Sequence, residues 1–112
     1  MEIVTDGISL QRLREMSERI MYNLVKAVVD VQRDIMAVDA VMHADEEEAL
    51  LANGSLQEDL WGINIYPSES GYDIEFDALM NIKPRQQNRT RGVEDTAVRQ
   101  KIETICKRLI RI

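Results

Sequence analysis

The sequence predicts an α+β fold: a single-domain antiparallel sheet with one face covered by N- and C-terminal helices, in the order α-β-β-α-β-β-α. Three observations carry this expectation. Apolar residues recur every three or four positions near both ends of the chain. A β-branched run, VKAVVDV, follows the first of these stretches, and two alternating segments, 58–67 and 72–84, lie in the middle. The 112 residues are enough for one domain, with residues 1–8 as a short N-terminal strand or arm and 83–93 as a basic loop before the last helix.

The first helix begins at Ser9, whose hydroxyl suits an N-cap, and Leu10, Leu13, Met16, Ile20 and Leu24 follow on one face. Asn23 tolerates a left-handed conformation at the helix end. Residues 25–31 and 34–39 then read as strands. Gln32 and Arg33 between them form either a tight turn or part of one long strand, since neither favours the positive φ of a two-residue hairpin. After His43 a short helix is expected, with Asp45 as its cap, Glu48 completing a capping box and Asn53-Gly54 ending it. The alternation of His43, Asp45 and Glu47 leaves a strand open as the rival reading.

In the central pair, Trp61, Ile63 and Ile65 share one face, and Ile74, Phe76, Ala78, Met80 and Ile82 share another. Bringing both sets to one core requires opposed residues whose numbers sum to an odd value, and the PSESGY loop suggests a sum near 139. Asn64 then faces Glu75, Gly62 faces Asp77, and Gly62 lets a partner approach closely. The last helix starts near Asp95 and carries Val98, Ile102, Ile105 and Leu109. Cys106 beside this stripe reads as a small buried hydrophobe, and a lone cysteine excludes an internal disulfide.

Composition bounds the function. With 45% hydrophobic and 30% charged residues the chain is globular, and no apolar run reaches the ~18 residues of a bilayer crossing, so a cytoplasmic protein without a membrane partner is expected. The net charge of −6 conceals a division: residues 1–82 hold 17 acids and 5 bases, residues 83–112 hold 9 bases and 3 acids. Either the basic segment folds onto the acidic body, or it presents cations to an anion.

Three sets of residues could carry chemistry. His43 with Asp45, Glu47 or Glu48, Glu58 and Asp59 could form a metal site or an acid/base pair, although one histidine is few for zinc. Lys83, Arg85, Asn88, Arg89 and Arg91 could bind a small phosphate-type anion. Without interleaved aromatics, and against the net charge, they make nucleic acid an unlikely partner. Asn64, Glu75, Asp77 and Asn81 form a polar sheet face. No nucleotide loop, triad or Cys/His framework is spelled out, and no cofactor is expected. Six methionines, Trp61 and Tyr66 instead favour a small non-catalytic interaction or oligomer-forming domain, with a second copy or another protein as partner.

The segments MHADEEEALLANGSLQEDLWGINIYP and IEFDALMNIKPRQQNR resemble a family of short uncharacterised bacterial proteins, a domain of unknown function, with similarity from about Val25 to Ile110. The chain departs from that family at Asp39 and Ala40, where glycines are usual, and at Thr96, where proline is usual. The resemblance implies a shared domain and assigns no catalytic residue.

Overall fold

A computed structural model of the chain describes residues 1–20 and 22–112. The seven expected helices and strands follow one another as expected, the N-terminal arm contains a short strand, and two further short strands are added at Ile8–Ser9 and Ile110–Arg111: β1 (Glu2–Val4), β2 (Ile8–Ser9), α1 (Leu10–Glu18), β3 (Val25–Asp30), β4 (Ile35–Val38), α2 (His43–Ala52), β5 (Leu60–Pro67), β6 (Tyr72–Glu75), α3 (Thr96–Leu109) and β7 (Ile110–Arg111). Five strands form one sheet in the order β1-β4-β3-β5-β6, antiparallel throughout, while β2 and β7 pair in parallel beside it. Among the described residues no helix is long and apolar enough to cross a membrane.

Local chemistry sets most boundaries. The Ser9 hydroxyl accepts the Arg12 N–H at 3.0 Å and the Asp95 carboxylate accepts the Ala97 N–H at 2.8 Å, so each terminal helix starts with an otherwise orphaned donor satisfied. The hairpin between β3 and β4 settles the open point at Gln32 and Arg33. Asp30 accepts both of their backbone N–H groups at 2.9 Å, and Asp34 supplies the positive φ that closes the loop. Asn23 takes the left-handed conformation ahead of β3, at φ 52°.

The sheet buries both faces. On one, Val25, Ala27, Val29, Met36, Val38, Trp61, Ile63 and Ile65 meet Leu10, Leu13 and Met16 of α1 and Ile102, Ile105, Cys106 and Leu109 of α3. On the other, Val28, Ile35, Ala37 and Leu60 meet Leu50 of α2. The expectation that helices cover a single face is therefore corrected: α2 covers half of the second face, and the polar residues keep the other half. Cys106 is fully buried, and burial pushes its thiol up to about 12, which leaves it an inert apolar group.

The β5–β6 register is the one expected, with Asn64 opposite Glu75 and Ile65 opposite Ile74. The strand reading of 72–84 extends too far, however. β6 ends at Glu75, and the chain then runs through short 3-10 turns at Leu79–Asn81 and Pro84–Gln86. On its β6 side Gly62 consequently lies opposite no strand residue, although Val28 of β3 faces it on the other, and the side chain of Asn81 takes the missing strand's place. Asn81 Oδ1 accepts the Gly62 N–H at 2.8 Å, and Nδ2 donates to the Gly62 carbonyl at 2.9 Å. The α2 cap also differs from expectation. The helix begins at His43 after Met42, so Asp45 lies in its first turn, where a carboxylate still complements the helix dipole.

Candidate functional site

The polar half of the second face forms a cleft of about 690 Å³ between β3, β5, β6, the start of α2 and the segment after β6. Its floor is a row across three strands. Lys26 of β3 is in register with Asn64 of β5, and Asn64 with Glu75 of β6, and the alternation of side chains puts all three on the face opposite Trp61 and Ile63. Tyr66, Asp77, His43 and Arg91 add polar walls, Leu24, Ala78 and Met80 apolar ones, and Tyr22, Met42 and Leu79 an exposed apolar rim.

Within the cleft most polar atoms are matched. Asn64 Nδ2 donates to Glu75 Oε1 at 2.8 Å and more weakly to the Asp77 carbonyl at 3.3 Å; the Tyr66 hydroxyl donates to the same Glu75 oxygen at 3.1 Å. Burial, then that carboxylate, pushes the Tyr66 phenol above its ordinary pKa, so the hydroxyl stays a donor. Arg91 Nε lies 2.6 Å from Asp77 Oδ1. Two groups stand apart. Asn64 is 7% exposed, and its Oδ1 is buried without a hydrogen-bond partner. Lys26 forms no ion pair among the described residues.

His43 reaches this cleft from the first turn of α2. Its Nε2 is 2.8 Å from the Ile63 carbonyl, an acceptor only, so Nε2 carries the proton and donates. Burial lowers the imidazole pKa against the raising effect of that bond, which keeps the ring neutral at pH 7. The ring fits there because Gly62 has no side chain: a Cβ on Gly62 would lie 3.2 Å from His43 Cδ2 and 2.6 Å from Ala78 Cβ.

The other residues of the first set lie elsewhere. Asp45 is exposed on α2, Glu47 is half-buried, and Glu58 and Asp59 occupy the 3-10 turn before β5. Among the described residues no three His, Cys, Asp or Glu side chains gather as a metal-binding group. Asp59 is raised above its ordinary pKa by burial and by Asp30 and Glu58.

The second set is largely built into the framework of the 81–92 loop. Lys83 Nζ donates to the carbonyls of Gln57 (2.6 Å) and Leu60 (2.7 Å) and sits 4.6 Å from the Trp61 ring centroid. Burial lowers its pKa, and Glu47, Asp59 and Glu58 oppose that shift. Asn88 is 3% exposed; its Nδ2 lies within hydrogen-bonding distance of the carbonyls of Asn81, Thr90 and Gly92, and its Oδ1 accepts the Glu94 N–H. Arg85 and Arg89 are exposed and form no ion pair among the described residues. Only Arg91 of this set lines the cleft.

Of the polar sheet face, Asn64, Glu75 and Asp77 meet in the cleft, while fully buried Asn81 supports β5 from its edge. Sequence reasoning missed Lys26 as their companion and the rim at Tyr22, Met42 and Leu79. The register of β3 against β5 would have supplied Lys26; the rim has no local sequence mark.

The framework that shapes this cleft, from α2 through β5 to the Asn81 and Asn88 bonds, is drawn from the two segments whose likeness to a known domain family is the most specific feature of the sequence. No curated protein and no solved structure matches the chain. A family model does, over residues 2–109, and the chain belongs to that family, described as protein of unknown function (DUF5674).

Proposed function

We propose that the protein is a non-catalytic binding domain, and that the cleft over Lys26, Asn64 and Glu75 takes a small amphipathic ligand. The observation that carries this reading is the Asn64 carbonyl oxygen, a buried acceptor without a partner on the floor of a 690 Å³ cleft. An unmatched buried polar atom costs roughly 1–3 kcal/mol, so a donor that reaches it recovers free energy that the unliganded protein lacks. The volume lies within the usual range for small-molecule sites, and apolar walls with a few convergent polar groups are typical of them. Glu75 and Asp77 are already engaged with Asn64, Tyr66 and Arg91, and the imidazole proton of His43 is held by a backbone carbonyl, an arrangement that supports recognition over proton transfer.

A screen of small amphipathic compounds, followed by NMR through the Asn64 side-chain amide and the Tyr66 ring, tests the reading. Saturable shifts at both residues are expected with some member of the set. Hits that leave both unmoved and cluster elsewhere would refute it.

A second reading is supported by the rim. Tyr22, Met42 and Leu79 are 72%, 56% and 68% exposed beside the cleft, a surface on which a second copy or another protein could close. Sedimentation of the parent and of Tyr22→Ser with Leu79→Ser tests it. A concentration-dependent dimer lost in the variant supports closure by a second copy, and a monomer at all concentrations counts against it.

A further inference from the structure

We infer that the ligand of this cleft is a zwitterion with a central N–H donor, of the chemical class of a dipeptide with free termini. The inference rests on the binding reading above and deepens it. Lys26, Asn64 and Glu75 stand in one row across β3, β5 and β6, so the floor reads cation, amide acceptor, carboxylate in that order. Neighbouring strands lie about 4.8 Å apart, which puts the outer two backbones about 9.6 Å apart. Two extended residues span about 7 Å, and the long, unpaired Lys26 side chain takes up the difference. A free amino acid spans about half that length and leaves one end of the row unmet.

Each element of the row has one unspent valence. Lys26 lacks a carboxylate partner among the described residues. Glu75 uses Oε1 for Asn64 and Tyr66, and Oε2 receives no hydrogen bond among them. Asn64 keeps Oδ1 free because Nδ2 faces Glu75 and the Asp77 carbonyl. The remaining charges of the cleft, Arg91 and Asp77, neutralise each other. An uncapped dipeptide matches this pattern: its carboxylate meets Lys26, its peptide N–H meets Asn64 Oδ1, and its ammonium meets Glu75 Oε2. The Asn64 oxygen is shielded from solvent, so the donor reaches it only as side chains over the cleft floor shift on binding. Leu24, Ala78 and Met80 receive the apolar side chains.

NMR titration of the full chain with alanyl-leucine, its N-acetyl derivative, its C-terminal amide and free leucine tests the inference. Alanyl-leucine is expected to shift the Asn64 side-chain amide saturably, and either capped peptide to bind at least about tenfold more weakly, because each loses a charge-assisted hydrogen bond. Free leucine should also bind at least about tenfold more weakly. Lys26→Met should abolish the difference between the free and amidated C-terminus, and Glu75→Gln that between the free and acetylated N-terminus. Capped peptides binding as tightly as the free one would overturn the inference, as would equal binding of leucine. If alanyl-leucine leaves Asn64 unmoved while another small compound shifts it, the zwitterion fails and the binding cleft stands. If no small compound shifts it, both fail.

Discussion

Replacing Asn81 by alanine should remove more stability than its size suggests, because a side chain is standing in for a strand. β6 leaves the sheet at Glu75, and the Asn81 amide supplies the two hydrogen bonds that the Gly62 N–H and C=O would otherwise lack. Its third bond, to the Arg91 carbonyl, matters less, since that oxygen also accepts the Ala78 N–H. Two orphaned buried groups at about 1–3 kcal/mol each give a loss of roughly 2–6 kcal/mol. Unfolding entropy near 2.1 cal/mol/K per residue converts this, for 112 residues, to about 4 °C per kcal/mol and a melting point lower by roughly 8–25 °C. Urea unfolding followed by circular dichroism measures the loss, and hydrogen exchange at the Gly62 amide locates it. Asn81→Asp provides a signed control. It retains an acceptor for Gly62 N–H but turns a carboxylate towards two carbonyls, so its folded pKa rises above the unfolded value. Stability is then greatest below the unfolded pKa and falls as pH rises through the folded one. An alanine variant within about 1 kcal/mol of the parent, with Gly62 exchange unchanged, would refute the reasoning.

The buried Glu46 carboxyl is pushed up to about 9, first by burial, against the bond its Oε2 accepts from the Ala40 N–H. The folded state therefore holds a proton that the unfolded chain releases near pH 4.5, and its stability should decline between about pH 5 and 9. Glu46→Gln should flatten that slope and exceed the parent in urea unfolding at pH 8; an unchanged slope would show that Glu46 is not its source. Gly62→Ala would set a Cβ 2.6 Å from Ala78 Cβ and 3.1 Å from Met80 Sδ, and should cost about 1–3 kcal/mol in thermal unfolding, so a neutral substitution would contradict the close packing. Trp61→Ala, at a site 4% exposed and capped by Lys83, should cost about 3–5 kcal/mol by urea unfolding, and a loss below about 1 kcal/mol would contradict its place in the core.

What the sequence disclosed was local or followed from parity. Ser9 and Asp95 announce their helices because a short polar side chain ahead of an apolar stripe satisfies an orphan donor without any tertiary contact. The β5–β6 register follows from two apolar sets that must share one core, and a single-residue slip would reverse every side chain. Asp45 misled as a cap because α2 starts two residues earlier, where the His43 ring is tied to the Ile63 carbonyl across the sheet. Ile74, Phe76, Ala78, Met80 and Ile82 misled in the same way. Their alternation continues past Glu75 although the backbone has left the sheet, and what releases it, the capture of Gly62 by Asn81, is a contact between residues 19 apart. Periodicity records which way side chains must face and carries no trace of such a substitution.

The site was half legible for a related reason. Asn64, Asn81 and Asn88 are one residue type, and no rule of spacing separates them. Their hydrogen bonds do. Asn81 and Asn88 spend both ends of their amides on backbone groups of the framework, whereas Asn64 spends only its nitrogen and keeps a buried oxygen unmatched. The three alanine variants should rank accordingly. Asn81→Ala and Asn88→Ala each orphan buried backbone groups and should lose at least about 2 kcal/mol. Asn64→Ala removes an unmet acceptor along with its bond to Glu75, which still accepts from Tyr66, and its weak bond to the Asp77 carbonyl, and should unfold within about 1 kcal/mol of the parent. Parallel urea unfolding of the three decides the matter. A loss at Asn64 as large as at the other two would mean that its amide belongs to the framework, and the cleft would lose the residue on which its reading as a binding site depends.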